Sequence, residues 1–124
     1  MDDRAFWAFA EVIGDGDQTV LLLDRNGGLV AGVYLDSLGA DVSAEVGRAL
    51  GPIGAEASRA MRHLPLGSWR ALSVECEDAN LALGAGGEGD VVLVAAAPSV
   101  PAGFVMRLLD HAAERALAWR EEVA

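Results

Sequence analysis

The stretch "LLLDRNGGLVAG", Leu21 to Gly32, decides how this chain is read. An apolar run enters a polar, glycine-rich centre at Asp24-Arg25-Asn26-Gly27-Gly28 and leaves it apolar again. Such a centre can serve a substrate, cradle a phosphate or simply turn a hairpin. Both flanks are rich in Val and Leu and too short for good helices. Asn26-Gly27 is a two-residue hairpin signal, because both residues tolerate positive φ. The stretch therefore reads as two antiparallel strands, 18–24 and 29–35, with Asp24 and Arg25 as ordinary tip residues. The unbroken Val20 to Leu23 run predicts a central strand covered on both faces.

A second glycine-rich turn, Gly86-Gly87-Glu88-Gly89, resembles a nucleotide fingerprint in its letters only. A phosphate loop must open a helix so that the helix N-terminus meets the anion, and here the strand-like run Val91 to Ala97 follows instead. Strands are expected at 80–85 and 90–97, the second of them central. Before them, "SWRALSVECED" alternates, with Leu72, Val74 and Cys76 on one face and Ser73, Glu75 and Glu77 on the other. That alternation keeps the Cys76 sulfur away from both carboxylates, so Cys76 reads as a small core residue rather than a metal ligand.

Three segments carry helical spacing. In 3–13, Phe6, Phe9 and Ile13 form a short stripe, with Asp2 or Asp3 as the cap; Trp7 lies off it, as a second packing contact or an exposed partner anchor. A long helix is expected at 41–64, capped by Asp41, with Val42, Val46, Ala49, Ile53, Ala57, Ala60 and Leu64 as its apolar stripe. Gly47, Gly51, Pro52 and Gly54 are poor interior residues, and Pro52 should kink or divide the helix near Gly51. Small residues also let another backbone approach closely, so this helix reads either as core-facing or as packing on a second helix, including its own copy. The last helix, 102–122, should bury Val105, Leu108, Leu109, Ala112, Ala116 and Trp119. The fold class is α+β in the order αββαβββα, a five-stranded, mostly antiparallel sheet between helices.

Composition narrows function. The chain has 124 residues, enough for one domain, 1–124, with its own core. It is 52% hydrophobic, and its mean hydropathy of +0.30 is not that of a disordered tail. No apolar run reaches the length of a membrane span and no basic signal region opens the chain, so a cytoplasmic protein without membrane insertion is expected. Nineteen acids against nine bases give a net charge of −10, which argues against nucleic-acid binding. All the bases are arginine, so Schiff-base chemistry and a P-loop lysine are absent. Cys76 is the lone cysteine, His63 and His111 lack ligand-spaced neighbours, and no serine sits in a Gly-x-Ser-x-Gly elbow. No enzymatic activity, catalytic residue, metal or cofactor is expected.

The ordered set of "VLLLDRNGGLVAG", the Ala-rich helix after Asp41, "LSVECEDANLALGAGGEGDVVLVAAA" and "VPAGFVMRLLDHAAERAL" resembles the roadblock/dynein light chain superfamily across almost the whole chain. The resemblance implies a homodimer in which the long middle helices of two protomers lie antiparallel and the third strands pair edge to edge. Carried onto this sequence, the dimer interface holds Val46, Ala49, Ile53, Ala57 and Ala60 of the helix with Trp69, Ala71, Ser73 and Glu75 of the strand. Glu75 and Glu77 raise the concern of like charges facing each other across the two-fold axis. The resemblance further implies a non-enzymatic regulatory or scaffolding protein that binds a Ras-like small GTPase and modulates its nucleotide cycle. The exposed candidates for that contact are Glu45, Arg48, Glu56, Arg59 and Arg62. The alternatives are a small-ligand sensor with a PAS- or profilin-like sheet, which needs a cavity near Trp69 or Cys76, and a purely structural dimer or filament subunit.

Overall fold

The computed structural model describes residues 3–124; the alternative cap Asp2 lies outside them. The elements are α1 (Asp3–Phe6), α2 (Ala10–Ile13), β1 (Thr19–Leu23), β2 (Leu29–Gly32), α3 (Ser43–Met61), β3 (Ala71–Glu75), β4 (Asn80–Ala85), β5 (Val91–Ala96) and α4 (Ala102–Glu122). The strands form one sheet in the order β2-β1-β5-β4-β3. Every neighbouring pair is antiparallel. β5 is the middle strand with β1 beside it, and both bury both faces, as their unbroken apolar runs require.

Alternation along the strands divides the core into two clusters. Val20, Leu22, Ala82, Val92 and Val94 point to the face covered by α1, α2 and α4. Leu21, Leu23, Leu83, Leu93 and Ala95 point to the face covered by α3. α4 buries Val105, Leu108, Leu109, Ala112, Ala116 and Trp119, the same six residues its spacing predicts. Near its C-terminal end Arg120 donates two hydrogen bonds to the buried Asp90, at 2.8 and 2.9 Å, and so ties the start of β5 to the last turns of the helix.

The hairpin at Asp24–Gly28 differs from its expected two-residue form. Gly27 has φ +81°, whereas Asn26 does not enter the left-handed region. The Gly27 amide donates to the Asp24 carbonyl and the Asp24 amide to the Gly28 carbonyl, which makes a longer turn closed by a left-handed glycine. The Asp24 carboxylate accepts from the amides of Asn26 and Gly28, both at 2.8 Å, so its role is to hold the turn. The register of β1 against β2 slips by one residue between Leu22 and Leu23 in consequence.

The burial of α3 corrects the sequence reading. Its fully buried residues are Ser43, Gly47, Gly51 and Gly54, not the Val42–Leu64 stripe. A Cβ on Gly47 would lie 2.8 Å from the Gly27 carbonyl oxygen, and one on Gly51 would collide with the Gly27 Cα. A Cβ on Gly54 would meet Val91 at 2.5 Å. The helix thus rests its backbone on the backbone of the hairpin tip, a separation that only glycine permits. Pro52 does not divide the helix, which runs unbroken from Ser43 to Met61. It sits on the outer, exposed side, where water can solvate the carbonyl its missing N–H leaves free.

Three further expectations are corrected. The N-terminal helix is two single turns, because the chain tightens at Trp7–Phe9 to drive Ala8 and Phe9 into the core. β2 stops at Gly32, and only an isolated bridge from Leu35 to Asp41 continues it. Cys76 is exposed beyond the end of β3 rather than packed in the core.

The glycine contact makes a contrast that unfolding experiments can read. Ala is better than Gly in a helix by about 1 kcal/mol. At Gly103 in α4 an added Cβ finds only the Arg107 guanidinium, 3.9 Å away, so Gly103→Ala should raise stability by up to ~1 kcal/mol. At Gly51 the clash is with backbone that cannot turn aside, and overpacking of this kind costs ~1–3 kcal/mol. Gly51→Ala should therefore lower the denaturation midpoint despite its better propensity.

Candidate functional site

Two features of the molecule stand exposed, one set by the packing of α3 and the other by the order of the sheet. The first is α3. Because glycines take the inward position, the larger apolar residues lie about a quarter turn round the helix from them. Val46, Leu50, Ala57 and Met61 are half-buried, Ile53 is 38% exposed, and Ala49, Ala60 and Leu64 are exposed. Leu72 and Val74 of β3 and Leu81 of β4 are half-buried on the same face of the sheet. Together they form an apolar margin beside the helix. Glu45, Arg48, Glu56, Arg59 and Arg62 lie on the other sides of α3, all exposed.

Glu56 and Arg59 pair with each other at 2.8 Å, three residues apart. The guanidinium holds the Glu56 carboxyl below its usual range, chiefly by the hydrogen bond and secondarily by its charge. Both groups remain in solvent, so the pair orders a charged surface more than it stabilises the fold. Arg62 lines a groove with Ser58, Ser68 and Trp69 that continues to Arg25 and Glu88. The Trp69 indole donates to the Ser58 hydroxyl at 2.7 Å and covers Gly54, which joins the entry to β3 to the last turns of α3. Arg25 and Glu88 escaped the sequence reading, which took both as ordinary turn residues. Arg25 donates to the Glu88 carbonyl at 3.3 Å, and Glu88 is the one non-glycine at positive φ among the described residues, at 58°. No pattern of spacing joins the two turns; only the β1–β5 pairing brings them together.

The second feature is the free edge of β3, at the end of the sheet. The Ala85 amide donates to the Arg70 carbonyl and the Cys76 amide to the Ala79 carbonyl. In an antiparallel ladder the backbone groups of alternate residues turn to opposite sides. Leu72 and Val74 therefore bond to β4, while the amides and carbonyls of Ala71, Ser73 and Glu75 point outward. Trp69, placed with them by sequence reasoning, is half-buried against α3.

The cap of α3 falls one residue later than expected, and Asp41 anchors the helix from just outside it. Val42 occupies the cap position and makes no side-chain cap. Asp41 accepts from the Ser43 hydroxyl at 2.6 Å and the Ser43 amide at 3.0 Å, while that hydroxyl accepts from the Tyr34 amide at 2.7 Å. The space a sensor would need between sheet and α3 is closed along the hairpin tip by the Gly27, Gly47 and Gly51 backbones. Cys76, one of the two residues expected beside such a cavity, lies outside at the β3–β4 turn, while Trp69 borders the open groove beside Ser58 and Arg62.

This architecture is the roadblock/LC7 fold. The roadblock/LC7 domain from Streptomyces avermitilis superposes with a TM-score of 0.74 at 18% identity, covering 94% of this chain and 97% of that one. Myxococcus xanthus MglB superposes at 0.77 with 15% identity and 96% coverage of both chains. An MglB of tetrameric arrangement superposes at 0.78 with 20% identity, covering 98% and 91%. No protein-family model matches the chain, and no curated protein matches it. At these identities the likeness is one of fold.

The Asp41–Ser43 anchor predicts a pH signature. The Ser43 hydroxyl first, and its amide second, hold the Asp41 carboxyl below its ordinary value of 3.8. A depressed folded value stabilises the protein above the unfolded value and is lost as pH falls through the folded one. Asp41→Asn should lower the thermal midpoint at pH 7. The gap between its curve and that of the parent protein should narrow as pH falls through the depressed Asp41 value, below the ordinary carboxylate range.

Proposed function

We propose that this protein is a non-catalytic, homodimeric roadblock-type regulator that binds a Ras-like small GTPase and modulates its nucleotide cycle. The observation that carries this reading is that α3 spends its glycine face on the sheet and keeps both an apolar flank and a charged flank outward. In the dimer, Val46, Ile53, Ala57 and Ala60 pack against the same residues of a second copy, with Ala49 at the outer border. The β3 edges pair about a two-fold axis at Ser73. That register places Glu75 opposite Ala71 of the second copy rather than opposite its own equivalent, which removes the like-charge objection. Glu45, Arg48, Glu56, Arg59 and Arg62 then contact the GTPase, with Arg25 and Glu88 extending the surface, and the nucleotide chemistry belongs to the partner.

Ser73 separates the two contacts experimentally. Its N–H is not used by β4, so proline there removes an edge donor without breaking the β3–β4 ladder, the circumstance in which edge strands accept proline. Light scattering should find the parent protein dimeric and Ser73→Pro monomeric and folded; a monomeric parent, or an undiminished dimer in the variant, refutes the pairing. Retention from native lysate charged with GDP or a non-hydrolysable GTP analogue tests the partner. A small GTPase should be enriched in one nucleotide state. It should be lost from Arg48→Gln/Arg59→Gln/Arg62→Gln, whose thermal midpoint should match the parent because all three side chains are exposed. Recovery of no GTPase in either state overturns the regulatory reading.

A further inference from the structure

The N-terminal segment holds a feature that neither of these contacts uses. At the tight turn between α1 and α2, neighbouring side chains part: Phe9 is 1% exposed, whereas Trp7 remains 64% exposed. The Trp7 ring meets Phe6 edge to face, with centroids 4.7 Å apart, so it is held against its own segment rather than folded inward. Phe6, Trp7, Phe9, Ile13, Val20 and Val33 line an apolar cleft of about 130 Å³, the size of one large side chain. Gly32 lines its β2 end, close against the β1 backbone, where a Cβ would collide with the Val20 carbonyl. The cleft belongs to the α4 face of the sheet, near β2, while α3 lies on the other face and the β3 edge at the other end.

The surrounding charge is mostly acidic, the Arg115 guanidinium of α4 being taken up by the Ala8 carbonyl and Glu122. Asp3, Glu11, Asp15 and Asp17 are all exposed, and Asp15 directly follows Gly14 of the cleft lining. The one base in residues 3–18 is Arg4, whose guanidinium lies 5.7 Å over the Trp119 ring. An acidic rim attracts cationic segments and repels acidic ones. A second copy of this chain, at net charge −10, is therefore a poor occupant. Tryptophan is over-represented among residues that dominate binding, and its face also accepts a guanidinium or ammonium.

We propose that the Trp7 cleft is a second docking site, for a partner peptide segment that presents one large apolar side chain flanked by arginine or lysine. The anchor enters between Trp7, Ile13 and Val33, and the flanking cations meet Asp15 and Asp17. This site is independent of dimer formation and of the GTPase surface on α3.

The test uses the full chain and a short synthetic peptide, one phenylalanine with two arginines on each side. The Trp7 indole resonance, identified by its loss in Trp7→Phe, should shift saturably on titration, and the affinity should fall with added salt. Replacing the phenylalanine by alanine, or the arginines by glutamate, should weaken binding about tenfold or more. Trp7→Ala, at an exposed position, should keep the parent's thermal midpoint and lose binding; Asp15→Asn/Asp17→Asn should weaken it while leaving the cleft intact. Ser73→Pro should bind as the parent does. The proposal is overturned if the Trp7 resonance does not move, if the glutamate peptide binds equally well, or if Trp7→Ala binds unchanged.

Discussion

The contact between the α3 backbone and the tip of the β1–β2 hairpin is the constraint on which one whole face of this protein depends. Gly27 on the hairpin and Gly47 and Gly51 on the helix each leave out a side chain that would strike the backbone opposite. The helix gains nearness at the expense of propensity, since glycine in a helix costs close to 1 kcal/mol relative to alanine. What offsets that cost is the closure of the sheet beneath, where Leu21, Leu23 and Leu93 are fully buried. The same contact fixes the rotation of the helix about its axis. With glycines facing inward, Ile53 and the alanines are turned to the side and the arginines to solvent.

Sheet order distributes the remaining surface. β5 lies in the middle between β1 and β4, so the edges are β2 and β3, and the two differ in character. β2 has the N-terminal turns beside it, whereas β3 carries the outward amides and carbonyls of Ala71, Ser73 and Glu75 along its whole length. Asp90 and Arg120 hold the β4–β5 turn against the end of α4, and that turn in turn sets Glu88 beside Arg25. Exposed groups from three separate parts of the sequence are thus fixed by two polar contacts and one close backbone approach.

Legibility in the sequence follows from which physical signal each element uses. α4 was readable residue by residue, because its stripe consists of side chains that must be buried. The central strands were readable for the same reason. α3 misled because its inward face carries almost no apolar side chain, and a pattern of hydrophobic residues then marks the flank instead of the core. Pro52 suggested a break because sequence alone does not show which side of a helix meets water. Phe9 was legible on its stripe and Trp7 as lying off it; whether Trp7 packs or stays outside was settled only by the tightened turn, which leaves it exposed. Cys76 alternated correctly with its neighbours, but the strand ended one residue before it. The charged residues of α3 were placed correctly as exposed, while Arg25 and Glu88 depended on a pairing between segments more than sixty residues apart.

The central seam between β1 and β5 also has a consequence for synthesis. β5 is translated about seventy residues after β1, and at ordinary elongation rates that interval is on the order of ten seconds. During it the nascent hairpin has no partner for the outer edge of Val20–Leu23, its most apolar run, while the β3–β4–β5 meander can assemble locally as it emerges. Closing so long a loop costs chain entropy before the contacts of the seam offset it. α3 emerges directly behind the hairpin and is the first element able to shelter it. The glycine contact that sets the final surface therefore also acts as an early guard for the least soluble strand on the ribosome.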